Sequence, residues 1–68
     1  MTTLKTLRAE RGLSQVQLAT LAGVNRSLIQ KIERGDVEPS NITLKSAVGI
    51  SAALGLLAED LLDIDPDA

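Results

Sequence analysis

Residues 13–35, which read LSQVQLATLAGVNRSLIQKIERG, decide the fold of this 68-residue chain. Ser14 and Gln17 have the spacing of a capping box, in which each side chain binds a backbone N–H group that a helix start leaves unpaired. Gly23 can adopt a left-handed conformation, and Asn25 is suited to cap a helix. The stretch therefore predicts two short helices separated by a turn of about three or four residues.

The second predicted helix, residues 26–34, has two different faces when it is drawn at about 100° per residue. One side is apolar and predicts a largely buried face: Leu28, Ile29 and Ile32. The opposite side carries only side chains that can donate hydrogen bonds: Arg26, Ser27, Gln30, Lys31 and Arg34. This polar side is the candidate binding surface of the chain.

The flanking sequence predicts further helices. Residues 3–11 form one that ends at Gly12, and Asn41 caps another that continues to Leu54. Gly49 lies in the middle of the latter helix, where glycine costs about 1 kcal/mol relative to alanine.

A short fifth helix is expected over residues 57–62, followed by residues 63–68 as an acidic tail that frays. We therefore predict an all-α fold, with residues 1–62 forming one compact five-helix domain.

The composition excludes most kinds of catalytic and metal site. The chain contains no Cys and no His, which removes zinc ligands, thiol nucleophiles and imidazole bases. We therefore expect no enzyme activity, no metal, no cofactor and no small-molecule ligand. The sequence has no run of about 18 apolar residues and no secretory signal, so we expect a cytoplasmic protein that does not contact a membrane.

The net charge of −2 hides a strong division along the chain. Residues 1–35 carry six basic and two acidic side chains, whereas residues 36–68 carry one basic and seven acidic ones. The local field governs attraction to a polyanion, and that field is positive in the first half.

In their order and spacing, these motifs resemble the Cro and phage-repressor (XRE) family of helix-turn-helix proteins. The resemblance runs from Leu4 to Leu62. It rests on Leu4-x-x-Leu7-Arg8, Gly12-Leu13-Ser14-Gln15-x-x-Leu18-Ala19, Ala22-Gly23-Val24, Ile29-x-x-Ile32-Glu33-Arg34-Gly35, Pro39, Thr43-Leu44, Ala53-Leu54-Gly55 and Leu61-Leu62. It implies a five-helix lambda-repressor-like domain, with residues 26–34 lying in the major groove of double-stranded DNA. The function implied is sequence-specific transcriptional regulation, as a repressor.

The resemblance also implies roles for individual residues. Base contacts fall to Arg26, Ser27, Gln30 and Lys31, and phosphate contacts to Gln15 and Arg8. Apart from the resemblance, Ser14 and Arg34 are also predicted phosphate contacts, because Ser14 caps a helix whose first N–H groups can hold an anion and Arg34 lies on the polar side of residues 26–34. Arg8 and Glu33 take the positions of a buried ion pair. Arginine and lysine can bind guanine, and glutamine can bind adenine, at the floor of the major groove.

Three departures from the family pattern affect these expectations. Asp36-Val37-Glu38 stands where the family often has basic residues, and it should repel phosphates. Leu57 replaces a common capping residue, so an extended segment is an alternative to the fifth helix. Leu28 either packs inward or meets a thymine methyl group.

The C-terminal part of the chain has more apolar residues than a core of this size needs. We expect a homodimer interface formed by Leu54, Leu56, Leu57, Leu61 and Leu62, with Ile64. Such a dimer would set two recognition helices about 34–36 Å apart and would require a roughly palindromic operator. The alternative is that these residues only close the monomer core. An alternative function is an antitoxin, which binds a basic toxin through the acidic second half and represses its own operon.

Overall fold

The computed structural model describes residues 3–64. Within that range, the chain forms four α-helices: α1 (Leu4–Glu10), α2 (Gln15–Ala22), α3 (Arg26–Arg34) and α4 (Leu44–Leu54). It also forms two 3₁₀ segments, Pro39–Asn41 and Ala58–Asp63. The predicted all-α class is confirmed, and none of the helices between residues 3 and 64 is both long and apolar enough to cross a membrane.

The predicted capping box begins α2. Ser14 Oγ accepts a hydrogen bond from the backbone N–H of Gln17 at 3.0 Å, and Gln17 Oε1 accepts one from the N–H of Ser14 at 2.8 Å. The helix ends at Gly23, whose φ of 71° lies in the left-handed region. The local sequence therefore sets both ends of α2.

Two predicted caps differ in the structure. Asn25 precedes α3, but its side chain makes no capping hydrogen bond. Thr43 rather than Asn41 caps α4, since Thr43 Oγ1 accepts from the N–H of Ser46 at 3.1 Å. Asn41 instead ends the 3₁₀ segment that begins at Pro39, a residue whose fixed φ suits the first position of a helical turn.

The predicted fifth α-helix is a 3₁₀ segment, Ala58–Asp63. Leu57 has no polar side-chain atom to cap a helix, and the Asp60 carboxylate accepts from the N–H of Leu57 at 3.0 Å instead. The N–H of Asp60 in turn donates to the Leu57 carbonyl at 3.0 Å, which closes a tight turn. Neither the fifth α-helix nor the extended alternative is formed.

The core is aliphatic and lies between α2, α3 and α4, with α2 packing most extensively on α4. Its buried members are Leu4, Leu18, Ala19, Ala22, Ile29, Ile32, Ile50, Leu54 and Leu61. Ile64 is half-buried against this core, so the packed part extends past the predicted boundary at Leu62. The rest of the predicted tail, residues 65–68, lies outside the described residues.

Gly49 permits the close packing of α2 and α4. A Cβ atom at this position would overlap the carbonyl oxygen of Ala22. The sequence predicted only a helix-propensity cost at Gly49, whereas the packing requires a residue without a side chain.

Candidate nucleic-acid interface

The polar side of α3 carries the predicted base-contacting side chains. Arg26, Ser27 and Lys31 are exposed, and Gln30 is half-buried. Four donor side chains from less than three turns of helix therefore lie on one accessible face. The groups needed to read base edges are present together on one rigid element.

The opposite side of α3 anchors the helix in the core. Ile29 and Ile32 are buried, and Leu28 is half-buried against the same cluster. Of the two alternatives for Leu28, the structure shows the inward packing. This anchoring fixes the direction in which the polar side faces.

Glu33 links three helices. Its Oε2 accepts from Arg8 Nε of α1 at 2.9 Å, and its Oε1 accepts from Arg8 Nη2 at 3.2 Å. Oε1 also accepts from Gln15 Nε2 of α2 at 3.3 Å. The side chains of Arg8 and Glu33 are only 15% and 6% exposed. A bidentate pair of this kind is strong and geometrically specific, so it holds α1 against α3. The hydrogen bond from Gln15 adds the start of α2 to the same carboxylate.

The start of α2 offers backbone donors as well as side chains. The capping box uses the N–H groups of Ser14 and Gln17, which leaves those of Gln15 and Val16 without a hydrogen bond to any described residue. The positive end of the helix dipole lies at the same place. Backbone N–H groups and a helix N-terminus together form a suitable site for an anionic oxygen.

An open concavity joins α3 to α1 and the start of α2. Its lining contains five donor side chains and two acidic ones: Lys5, Arg8, Gln15, Gln30, Arg34, Glu33 and Asp36. Three of the predicted phosphate-contacting residues therefore share one depression with the predicted base contact Gln30. Ser14 does not line it, although its hydroxyl hydrogen stays available beside the α2 N-terminus.

Lys5 was not singled out by the sequence, and Asp36 was predicted only as part of an acidic loop that repels phosphates. Lys5 contributes to the predicted positive charge of the first half, but nothing in its sequence neighbourhood marks it as part of a site. Asp36 was recognised as an acid in a loop, but its position beside the donors depends on how α3 ends. Contacts between distant segments carry no local sequence signal, so the sequence predicted neither side chain as part of the concavity.

One basic residue of the first half belongs to the fold rather than to the interface. Arg11 Nε donates to the Leu54 carbonyl at 2.6 Å, and Arg11 Nη1 donates to the Leu7 carbonyl at 3.0 Å. A guanidinium at the end of α4 also stabilises the negative end of that helix dipole. Arg11 therefore fastens α1 to α4, and its charge contributes less to the polar side of α3 than the sequence suggests.

The predicted dimer residues divide into two groups. Leu54 and Leu61 are 1% and 3% exposed within the single chain, so they close the monomer core and leave no surface for a second subunit. Leu57 and Leu62 are 64% and 66% exposed, and Leu56 is half-buried. The predicted interface is corrected accordingly, because burial in the monomer already accounts for two of its five leucines.

Known proteins are similar to this chain in both sequence and fold. The model of a helix-turn-helix family matches residues 4–62. Over 53 residues, the sequence is 45% identical to the immunity repressor protein of Bacillus phage phi105, which covers 78% of this chain and 35% of that protein. It is 43% identical over 51 residues to the HTH-type transcriptional regulator SutR of Escherichia coli strain K12, covering 74% of this chain and 29% of SutR. The chain thus spans about a third of the length of these two relatives.

A solved structure matches over most of its length. It is the restriction-modification controller protein C.AhdI from Aeromonas hydrophila, with a TM-score of 0.72 and 36% sequence identity. The match covers 85% of this chain and 83% of that one. The similarity therefore extends over most of both chains.

Proposed function

The chain belongs to the Cro and phage-repressor (XRE) family of helix-turn-helix proteins, and on that basis we propose that it is a sequence-specific transcriptional repressor that binds double-stranded DNA as a homodimer. The observation that carries the proposal is the polar side of α3. Its exposed side chains are donors, its apolar side is anchored in the core, and the concavity beside it collects further donors.

In the proposed complex, α3 lies in the major groove and reads base edges. Arg26 and Lys31 bind guanine O6 and N7, Gln30 binds adenine N6 and N7, and Ser27 can serve as donor or acceptor. A good bidentate contact contributes about 1–3 kcal/mol of discrimination against a wrong base.

Phosphate contacts fix the register of α3 on the duplex. Gln15 and the first N–H groups of α2 hold one part of the backbone, with the Ser14 hydroxyl beside them. Arg8 has N–H groups beyond those that bind Glu33 and the Leu13 carbonyl, and Arg34 lines the same concavity. These contacts supply affinity without sequence preference.

The proposed dimer uses the exposed C-terminal leucines. Leu57 and Leu62 expose apolar surface, and Leu62 also lines a groove with Ile32, Val37 and Ile64. A two-fold axis through this surface would place two copies of α3 about one turn of DNA apart, about 34–36 Å. The operator would then be roughly palindromic.

We propose that repression occurs by occupancy of the operator, in the cytoplasm where the DNA is accessible. The three similar proteins are named as a repressor, a transcriptional regulator and a controller protein, which favours transcriptional regulation over the antitoxin function. We assign the chain no catalytic role, since its family is one of DNA-binding regulators.

Selection of bound sequences from a random pool of DNA duplexes tests the proposal. We expect enrichment of one sequence with two inverted half-sites centred about 10 base pairs apart. Affinity for the selected site should also fall steeply as salt concentration rises, because phosphate contacts release counterions. Recovery of unrelated sequences after repeated rounds would contradict sequence-specific binding, and a single unrepeated half-site would contradict the dimer.

A further inference from the structure

Arg34 and Asp36 form an ion pair at the end of α3. Arg34 Nη2 lies 3.0 Å from Asp36 Oδ2, and the two side chains are 58% and 57% exposed. Both residues line the concavity that also contains Gln15 and Gln30. The acidic side chain therefore lies among the proposed DNA-binding donors rather than out in the loop.

The backbone at the end of α3 holds Asp36 in this position. Gly35 has a φ of 81°, and the N–H of Asp36 donates to the Lys31 carbonyl at 2.9 Å. This arrangement closes the last turn and keeps Asp36 next to the helix end. An anion is unfavourable at the negative end of a helix dipole, so Arg34 is the group that compensates its charge there.

Glu33, the other acid that lines the concavity, has a different role. Its two oxygens accept hydrogen bonds from Arg8 and Gln15, and its side chain is buried. The Glu33 carboxylate is therefore committed to holding the helices together. Asp36, by contrast, pairs with Arg34, a residue proposed to bind phosphate, and both side chains are exposed to solvent.

We propose that Asp36 is an internal substitute for a DNA phosphate and that it sets the affinity of the chain for DNA. Its carboxylate occupies the guanidinium of Arg34 in the free protein and must be displaced before Arg34 binds the DNA backbone. Carboxylates and phosphates are both recognised by arginine through charged hydrogen bonds, so the exchange keeps the chemistry of the contact. The inference rests on the proposed function, because it concerns the same DNA-binding surface.

The exposure of the pair makes the exchange feasible. Exposed ion pairs contribute little to stability, so DNA can break this one at small cost. The remaining consequence is competition: the Asp36 carboxylate and the phosphate bind the same Arg34 guanidinium, so each binding event must first break the pair. Asp36 therefore lowers the affinity for every DNA sequence equally, because Arg34 contacts the DNA backbone and not the bases.

The test compares wild type with Asp36→Asn in DNA-binding titrations over a range of salt concentrations. The probes are the duplex selected in the preceding experiment and a random-sequence duplex. We expect Asp36→Asn to bind both duplexes about three- to tenfold more tightly, because Arg34 no longer has to leave an ion pair before it binds a phosphate. The slope of log K against log salt should become more negative by at most about 0.9 per bound protomer, which is the value for one fully additional phosphate contact.

Three further variants make the test specific. Glu38→Gln removes the same charge from the same loop, but the Glu38 carboxylate lies near the Ser40 hydroxyl and pairs with no described basic side chain. We expect it to change affinity less than about twofold, because an exposed charge farther from the phosphates is screened by salt. Arg34→Gln should abolish the gain, so the double variant Arg34→Gln/Asp36→Asn should bind like Arg34→Gln alone.

The following outcomes would overturn the proposal that Asp36 masks Arg34. Equal affinities of wild type and Asp36→Asn would show that Asp36 blocks no contact. A gain that persists without Arg34, or an equal gain in Glu38→Gln, would show general repulsion instead of masking. If neither wild type nor Asp36→Asn bound DNA of any sequence, the proposed function itself would fail. Binding by wild type without a gain in Asp36→Asn would refute only the role of Asp36.

Discussion

Glu33 accepts hydrogen bonds from side chains on both of the other helices that border the proposed DNA-binding surface. The fold and the site therefore depend on the same carboxylate. Without the Arg8 charge, Glu33 would remain buried and uncompensated, which is far more costly than losing an exposed pair. The difference between buried and exposed pairs gives a direct test at the scale of single residues.

Replacing Arg8 with Leu should lower the free energy of unfolding by about 3–5 kcal/mol, because it removes one partner of a buried ion pair. For a chain of this size that is a large part of the total, so the variant should be partly unfolded at room temperature. Urea denaturation followed by circular dichroism measures the change.

The matched control is Arg34→Gln, which breaks the exposed pair with Asp36 at the same surface. It should cost less than about 1 kcal/mol. Equal losses of stability in Arg8→Leu and Arg34→Gln would mean that burial of the Glu33 carboxylate does not decide the energetics of the pair.

Single residues differ in how far the sequence could predict them. The Arg8 and Glu33 pair follows from the family resemblance, because both residues match motif positions. The hydrogen bond from Gln15 to Glu33 does not, since glutamine at a helix start has several possible partners and only the packing of α2 on α3 selects one. The same applies to the contact of Arg11 with the Leu54 carbonyl, which joins segments far apart in the chain.

At the scale of helices, the close approach of α2 and α4 depends on Gly49. Helix propensity alone predicts that Gly49→Ala would stabilise α4 by about 1 kcal/mol. The structure predicts the opposite sign, because the new methyl group would overlap the Ala22 carbonyl and force the helices apart. We expect a loss of about 1–3 kcal/mol, typical of overpacking in a core, measured by thermal or urea unfolding.

Ala52→Gly is the control for this experiment, since Ala52 is an exposed residue of the same helix. It should cost about 1 kcal/mol through propensity alone. A Gly49→Ala variant more stable than the wild type would contradict the proposed contact between the two helices.

Local signals predicted the helix ends well where one residue decides the conformation. Ser14 with Gln17 and Gly23 act as expected, and Gly35 and Gly55 end α3 and α4 in the same left-handed conformation, because capping and positive φ are properties of single positions. The predicted start of α4 was wrong. Pro39, Asn41 and Thr43 can each stand at the start of a helical turn, and the sequence alone does not decide which of them begins α4. The segment after Leu57 is 3₁₀ because hydrogen bonds of the type i to i+3 replace a missing cap.

At the scale of the whole molecule, fewer basic side chains are available to bind DNA than the sequence suggests. Arg8 and Arg11 bind groups inside the fold, and Arg34 pairs with Asp36. Lys5, Arg26 and Lys31 form no ion pair with the described residues and face outward. DNA affinity should therefore rest on few phosphate contacts per protomer and on the combination of two protomers.

Self-association should depend on the exposed C-terminal leucines. A variant with Leu57→Lys and Leu62→Lys should raise the dimer dissociation constant at least about tenfold, because two exposed apolar side chains near the centre of an interface would be replaced by charges. Sedimentation velocity over a range of protein concentrations measures the shift. DNA binding should weaken in parallel, since the two recognition helices would no longer be coupled.

Leu44→Lys is the control for that variant, since Leu44 is also an exposed apolar residue but begins α4, outside the proposed interface. Its dissociation constant should stay near that of the wild type. A wild type that remains monomeric well above the concentrations at which it occupies its operator would rule out the proposed dimer.

The central claim is that α3 reads base edges while the start of α2 holds phosphates, and one comparison of Gln30→Ala with Gln15→Ala separates the two roles. We predict that Gln30→Ala lowers affinity for the selected operator by about 1–3 kcal/mol and leaves affinity for random-sequence DNA unchanged, with the fold intact by circular dichroism. Gln15→Ala should weaken binding to both duplexes by similar amounts, because phosphates carry no sequence information. Equal losses on operator and random DNA in Gln30→Ala would contradict the assignment of α3 as the recognition helix.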